Sequence, residues 1–128
     1  MSTLDLPALA SSGFLTGRAA YLSGEAIAVT FSGTADTETR PELDRFVKQL
    51  HVEAQRLRVP AVAIDLRELE FMNSSCLKIL VAWLAQLRDL PADQQYRIKI
   101  RSNPSLLWQR RSLAALSCFA VDLVTIET

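Results

Sequence analysis

Apolar residues recur along this chain with two different periods, and the alternation between the periods predicts the elements. Residues 14–22 and 26–32 read as two strands, the second alternating larger and smaller or polar positions as half-buried strands do, and Ser23-Gly24-Glu25 between them has the composition of a tight hairpin turn. Leu43, Phe46, Val47, Leu50, Ala54 and Leu57 then fall on one stripe at helical spacing. Thr39 and Glu42 have the spacing of a capping box, and Pro41 suits a first turn. The loop before this helix is expected over residues 33–37. Pro60 leads into a strand over 61–66, and a helix is expected over 74–90, with Pro91 just past its end. Tyr96, Ile98 and Ile100 mark a strand over 96–101. Asn103-Pro104 opens a third helix to about residue 117, and residues 121–127 close as a strand. The lead, residues 1–12, carries Leu4, Leu6 and Leu9 at a spacing that lets them lie against something, so partial order is expected there.

The order ββαβαβαβ is an α/β pattern. Its strands alternate rather than run continuously apolar: Ile27, Val29 and Phe31 oppose Ala28 and Thr30, and Arg97, Lys99 and Arg101 oppose the apolar set of their strand. A sheet covered on both faces would show uninterrupted apolar strands. Right-handed crossovers that advance in one direction place every helix on the same side. The expected architecture is therefore a mixed β-sheet with helices packed mainly on one face.

Composition narrows the function classes. At 128 residues the chain has room for a single modest core, read as one domain over 13–128 behind the lead. Fourteen cationic and fourteen acidic residues cancel, which argues against a general nucleic-acid surface. No secretory signal and no run able to cross a membrane is read, so a cytoplasmic location is expected. In that compartment Cys76 and Cys118, both in apolar-periodic contexts, are expected reduced and packed. No metal cluster, glycine-rich phosphate loop or Ser–His–Asp arrangement is present to support catalysis or a cofactor. His51, the only histidine, falls just off the first helix's stripe, where a solvated or flanking role is expected. Trp108 reads as an aromatic core anchor beside a solvated pair, Arg110 and Arg111.

The remaining chemistry sits after the third strand. Asn73, Ser74 and Ser75 stand where a helix begins, and a side-chain oxygen there can satisfy an orphan N–H. Free N–H groups and the positive end of the helix dipole also converge at that point, which suits an anionic group on a serine. Cys76 follows, read as a small residue packed in the first turn. Along the second helix Leu77, Leu80, Val81, Leu84 and Leu87 form a core stripe. Cys76, Ile79, Trp83 and Leu90 form a neighbouring ridge that could dock a partner, with Ile79 and Trp83 expected at least partly exposed.

The run Asp65, Leu66, Leu69, Phe71, Met72, Asn73, Ser74, Ser75, Cys76, Leu77 resembles the signature of STAS domains, the family named for sulfate transporters and anti-sigma-factor antagonists. Asn73 stands where that family usually has Asp, and Cys76 where it usually has Gly. Gly33 to Asp36 is similar to a Gly-x-x-Asp phrase found in many members. The resemblance implies a STAS-like fold and a non-enzymatic switch. Ser74 (alternatively Ser75) would be phosphorylated by a serine kinase of the anti-sigma type and reset by a serine phosphatase. Asp36, Asn73, Ser75, Cys76, Ile79 and Trp83 would lie at the partner contact, with no cofactor, metal, nucleic acid or membrane insertion. A constitutive STAS adaptor in a transport or signalling complex is the other reading, and the oligomeric state is left open.

Overall fold

The computed structural model describes residues 4–11, 14–22 and 24–128. In chain order these form β1 (Leu9–Ser11), β2 (Leu15–Leu22), β3 (Ala26–Ala35), α1 (Arg40–Leu57), β4 (Ala61–Met72), α2 (Ser74–Arg88), a 3-10 turn (Ala92–Gln94), β5 (Arg97–Arg101), α3 (Leu107–Phe119) and β6 (Val124–Glu127). The six strands make one sheet whose spatial order is the chain order. β1, β2 and β3 pair antiparallel, whereas β3 to β6 pair parallel through the three helices. The mixed α/β sheet expected from the pattern is thus the observed one. Among the described residues, no helix is long and apolar enough to cross a membrane.

The core lies between the helices and one sheet face. Ile27, Val29, Phe31, Val62, Ile64, Ile98 and Ile100 are buried there, while Thr30, Arg97, Lys99 and Arg101 are exposed on the opposite side. The period of two in the strands has separated a covered face from a bare one. Leu4 and Leu6 pack against the core and Leu9 is buried. Glu53 on α1 ties the lead down: it accepts the Asp5 N–H at 2.6 Å and pairs with Arg56, whose hydrogen bonds hold its carboxyl below the usual carboxylate range.

Several expected boundaries shift, each for a local reason. Ser23, central to the expected hairpin turn, lies outside the described residues, as do residues 1–3, 12 and 13 of the lead and its junction; Glu25 N–H donates to the Leu22 carbonyl at 2.8 Å and Gly24 takes a positive φ of 77°. The Thr39–Glu42 capping box does not form. Thr39 turns its hydroxyl back to Asp36, accepting from the Asp36 N–H (2.8 Å) and donating to the Asp36 carbonyl (3.1 Å). α3 begins at Leu107 rather than at Asn103-Pro104, because the Asn103 side chain accepts the Ser105 N–H (3.0 Å) and holds a turn instead. β4 is the largest difference. It runs six residues past the expected end at Leu66. Beyond Asp65 it has lost β5 as a neighbour, since β5 ends opposite at Arg101. Side chains of α3 replace the missing strand: Gln109 Nε2 donates to the carbonyls of Leu66 (2.7 Å) and Leu69 (3.3 Å), and Trp108 Nε1 to Leu69 (3.2 Å). Gln109 is buried, and burial without these partners would cost roughly 1–3 kcal/mol per polar group.

Candidate functional site

Two loops meet at the ends of β3 and β4. On β3, Gly33 has a φ of 98°, and a Cβ there would run into the carbonyl oxygen of Phe14. The next N–H, from Thr34, donates to that same carbonyl at 2.6 Å. Glycine is therefore required for the close approach that carries β3 to Ala35. The expected loop over 33–37 is shortened, and Asp36 to Thr39 make the turn into α1. Asp36 Oδ1 accepts the N–H groups of Glu38 (3.0 Å) and Thr39 (3.1 Å). Asp36 is a turn-holding residue that also abuts the second loop.

That second loop is a single residue, Asn73. Its N–H donates to the Ala35 carbonyl at 3.0 Å and its Oδ1 accepts the Cys76 N–H at 2.8 Å, so Asn73 caps α2. Its Nδ2 reaches Thr37 Oγ1 at 3.3 Å. Neither serine does the capping. Ser74 is the first residue of α2 and is exposed; Ser75 is half-buried, and its carbonyl accepts Arg40 Nε at 3.4 Å. Lys78 lies one turn on from Ser74 and is exposed, and α2 has no acidic residue in its first turn. The N–H groups of Ser74 and Ser75 precede the first intrahelical bond, from Leu77 N–H to the Asn73 carbonyl. A negative charge at Ser74 would meet free N–H donors, the positive end of the helix and two nearby cations.

Cys76 is fully buried, and its Sγ donates to the Asp36 carbonyl at 3.2 Å. Burial pushes its thiol up, with Arg40 pulling the other way. It clips the two loops together from beneath and is closed to a partner. Cys118 is exposed rather than packed, because it lies on the outer side of α3; both cysteines are free.

The expected docking ridge is also inside the protein. Ile79 and Trp83 are each 4% exposed. α2 is the middle helix of the layer, touching α1 on one flank and α3 on the other, so it buries a wider arc than a helix at the margin. Ile79 and Trp83 face α1, across a small groove they share with Val47 and His51. His51 is buried too, not solvated. Trp83 Nε1 donates to Tyr96 Oη at 2.7 Å, and Tyr96 Oη shares a second hydrogen bond, 2.6 Å long, with His51 Nδ1. Indole can only donate, and the His51 tautomer that leaves Nδ1 without a proton gives the Tyr96 hydroxyl proton a partner as well. Burial lowers the His51 pKa and raises that of Tyr96.

Two apolar residues at this end of the sheet stand out, Phe71 (46% exposed) on β4 and Phe14 (53% exposed) just before β2. Phe71 pairs with Thr34, the residue bonded to the Phe14 carbonyl, and precedes Ser74 by three positions. Sequence reasoning placed Phe71 only within the STAS-like run, without expecting its exposure, and singled out neither Phe14 nor Arg40. Phe71 sits where strand alternation has broken down, and Arg40 precedes the apolar stripe of α1. Trp108 anchors as expected, half-buried, beside exposed Arg110 and Arg111.

This is a six-stranded α/β domain with one bare sheet face and an exposed serine at the edge of the strand ends. No protein-family model and no curated protein matches the chain. Among solved structures it is similar to an anti-sigma factor antagonist from Mycobacterium paratuberculosis, with 22% sequence identity, coverage of 93% of this chain and 90% of that chain, and a TM-score of 0.66. It is also similar to the anti-sigma factor antagonist SpoIIAA in its unphosphorylated form, with 13% identity, 88% of each chain covered and a TM-score of 0.60. The fold is that of the anti-sigma factor antagonists, the STAS fold expected from the serine segment.

Proposed function

We propose that this chain is a non-enzymatic, phospho-switchable signalling domain of the cytoplasm. It binds a serine kinase or anti-sigma-type protein and is modified by that kinase on Ser74. The observation that carries this reading is the placement of Ser74: exposed, first in α2, and free of any capping duty because Asn73 performs it. The fold likeness to anti-sigma factor antagonists supports it. In the unmodified state the partner sits over the joined loops around Asp36, Asn73 and Ser75, with Phe14 and Phe71 supplying apolar contact. Phosphorylation adds about −1.5 to −2 charge units. Helix N–H groups, Lys78 and Arg40 keep that charge compatible with the fold, while a contact built for a neutral hydroxyl does not accommodate it. A serine phosphatase restores the first state.

Phosphopeptide mapping after exposure to the cognate kinase tests the proposal. Ser74 is the expected site, and Ser74→Ala should abolish modification and keep partner binding, while Ser74→Asp should weaken it. Modification of Ser75 alone, or of neither serine, would overturn the switch and leave the constitutive adaptor reading.

A further inference from the structure

The sheet face turned away from the helices has an organised surface of its own. Ala20, Ala28 and Ala63 are successive cross-strand partners on β2, β3 and β4, and Lys99 continues their row on β5. Residues paired in register point to the same face, so the three alanines form a floor without side-chain bulk. Along one side of that floor β5 raises Arg97, Lys99 and Arg101, all exposed. Alternate residues on a strand stand roughly 6.5–7 Å apart, so the cations form a straight wall. Among the described residues, none of the three makes a salt bridge; Arg101 lies between Asp65, itself engaged by Arg67 at 2.8 Å, and Glu127 in its row, whereas Arg97 and Lys99 have Ala61, Ala63 and Thr125 as row neighbours. The lead segment, which could have crossed this face, lies on the other side, bonded through Asp5 to Glu53 and Gln49 of α1.

We propose that this bare face docks an acidic amphipathic helix of a partner protein. The helix would lie on the alanine floor and aim Asp or Glu residues at Arg97 and Lys99, the two cations with no carboxylate beside them in their rows. Carboxylates at i and i+4 on a helix are roughly 6 Å apart, close to the spacing of the cations. A flat floor of methyl groups accepts a helix at short range, because no large side chain must be moved. A second copy of this chain fits poorly, since its matching face would bring the same three cations together. Nucleic acid fits poorly as well: sheets that read single strands stack bases on aromatic side chains, and the rows of this face from Leu22 to Arg18 on β2 and from Ala61 to Asp65 on β4 offer none, while Asp65 and Glu127 place carboxylates in the Arg101 row. This surface is separate from the serine end, so either assignment can fail without the other.

The test uses the full chain, isotope-labelled, titrated with a synthetic 20-residue helical peptide that carries alanine on one strip and glutamate along its flank. Expected are amide shift changes on β3, β4 and β5, and binding that weakens at least about tenfold in a Lys99→Glu/Arg97→Glu variant and on raising salt. A lysine-flanked peptide should then recover affinity for the reversed variant. Ala28→Gln, which fills the floor but keeps every charge, should also weaken binding; circular dichroism and thermal melts confirm that both variants fold. The proposal is overturned by shifts confined to the Ser74 end, by equal binding of a scrambled glutamate peptide, or by tighter binding of a single-stranded oligonucleotide to the same face.

Discussion

Two polar networks touch α2, and they differ in what surrounds them. At the first turn, Asn73, Thr37, Asp36 and Arg40 bond across two loops at the protein's edge, with Ser74 open to solvent. Two to three turns later, Trp83, Tyr96 and His51 bond to one another under the helix layer. Water can replace a lost partner in the first network and not in the second. A buried donor or acceptor left alone costs its full desolvation. The edge network can thus carry a changeable charge, whereas the inner one fixes a single packing of α1 against α2.

Substitutions can break this contrast, and the largest effect belongs inside. Trp83→Ala should cost about 3–5 kcal/mol, chiefly from the cavity it leaves, read as a lowered urea midpoint by circular dichroism. An unchanged midpoint would return Trp83 to the surface. Tyr96→Phe should come next, at about 1–3 kcal/mol, because it strands the indole N–H and His51 Nδ1 together.

Acid should separate the networks without mutation. Burial lowers the His51 pKa in the folded state, so the unfolded chain binds more protons as pH falls below about 6.5. Stability is full above that value and declines as pH drops toward the folded pKa, since burial penalises the charged imidazole. His51→Asn keeps an acceptor near the Nδ1 position and should flatten this slope between pH 7 and 5. Persistence of the slope would assign it elsewhere. Glu53 and Asp65, both held below their ordinary values by arginine hydrogen bonds, lose their contributions only at lower pH.

At the edge the effects should be small. Asn73→Ala removes the cap and should cost about 0.5–2 kcal/mol, whereas Asn73→Asp should preserve it. Ser74→Ala should change stability by less than about 0.5 kcal/mol, since the serine caps nothing. A larger loss in chemical denaturation would show that Ser74 serves the fold.

The sequence exposed the layers of this fold well, because strand alternation and helix stripes report directly which side of an element is wet. Asn73, Ser74 and Ser75 were legible as a helix start for the same reason. What stayed hidden depended on neighbours distant in the chain. Arg67-Glu68-Leu69-Glu70 breaks the period of two and looks like a turn, yet it is strand, because β3 follows it through register shifts and Gln109 lies over its free edge. Ile79 and Trp83 looked like an outer ridge because the middle position of α2 is a property of the layer, not of the helix. His51 looked solvated because its partner, Tyr96, comes from another element. Phe14 and Phe71 belong to no stripe, so periodicity had nothing to say about them.

The match between strand order and chain order has a consequence for synthesis. As the chain leaves the ribosome, each new strand finds its sheet neighbour already made, and no strand has to be inserted between two others. The overhang of β4 is the exception. Its carbonyls at Leu66 and Leu69 have their donors on Gln109, some forty residues later in translation. A nascent chain that has emerged only as far as residue 102 would therefore hold the Ser74 turn complete but unbraced at its base, and stalled-chain proteolysis should cut β4 there until α3 emerges.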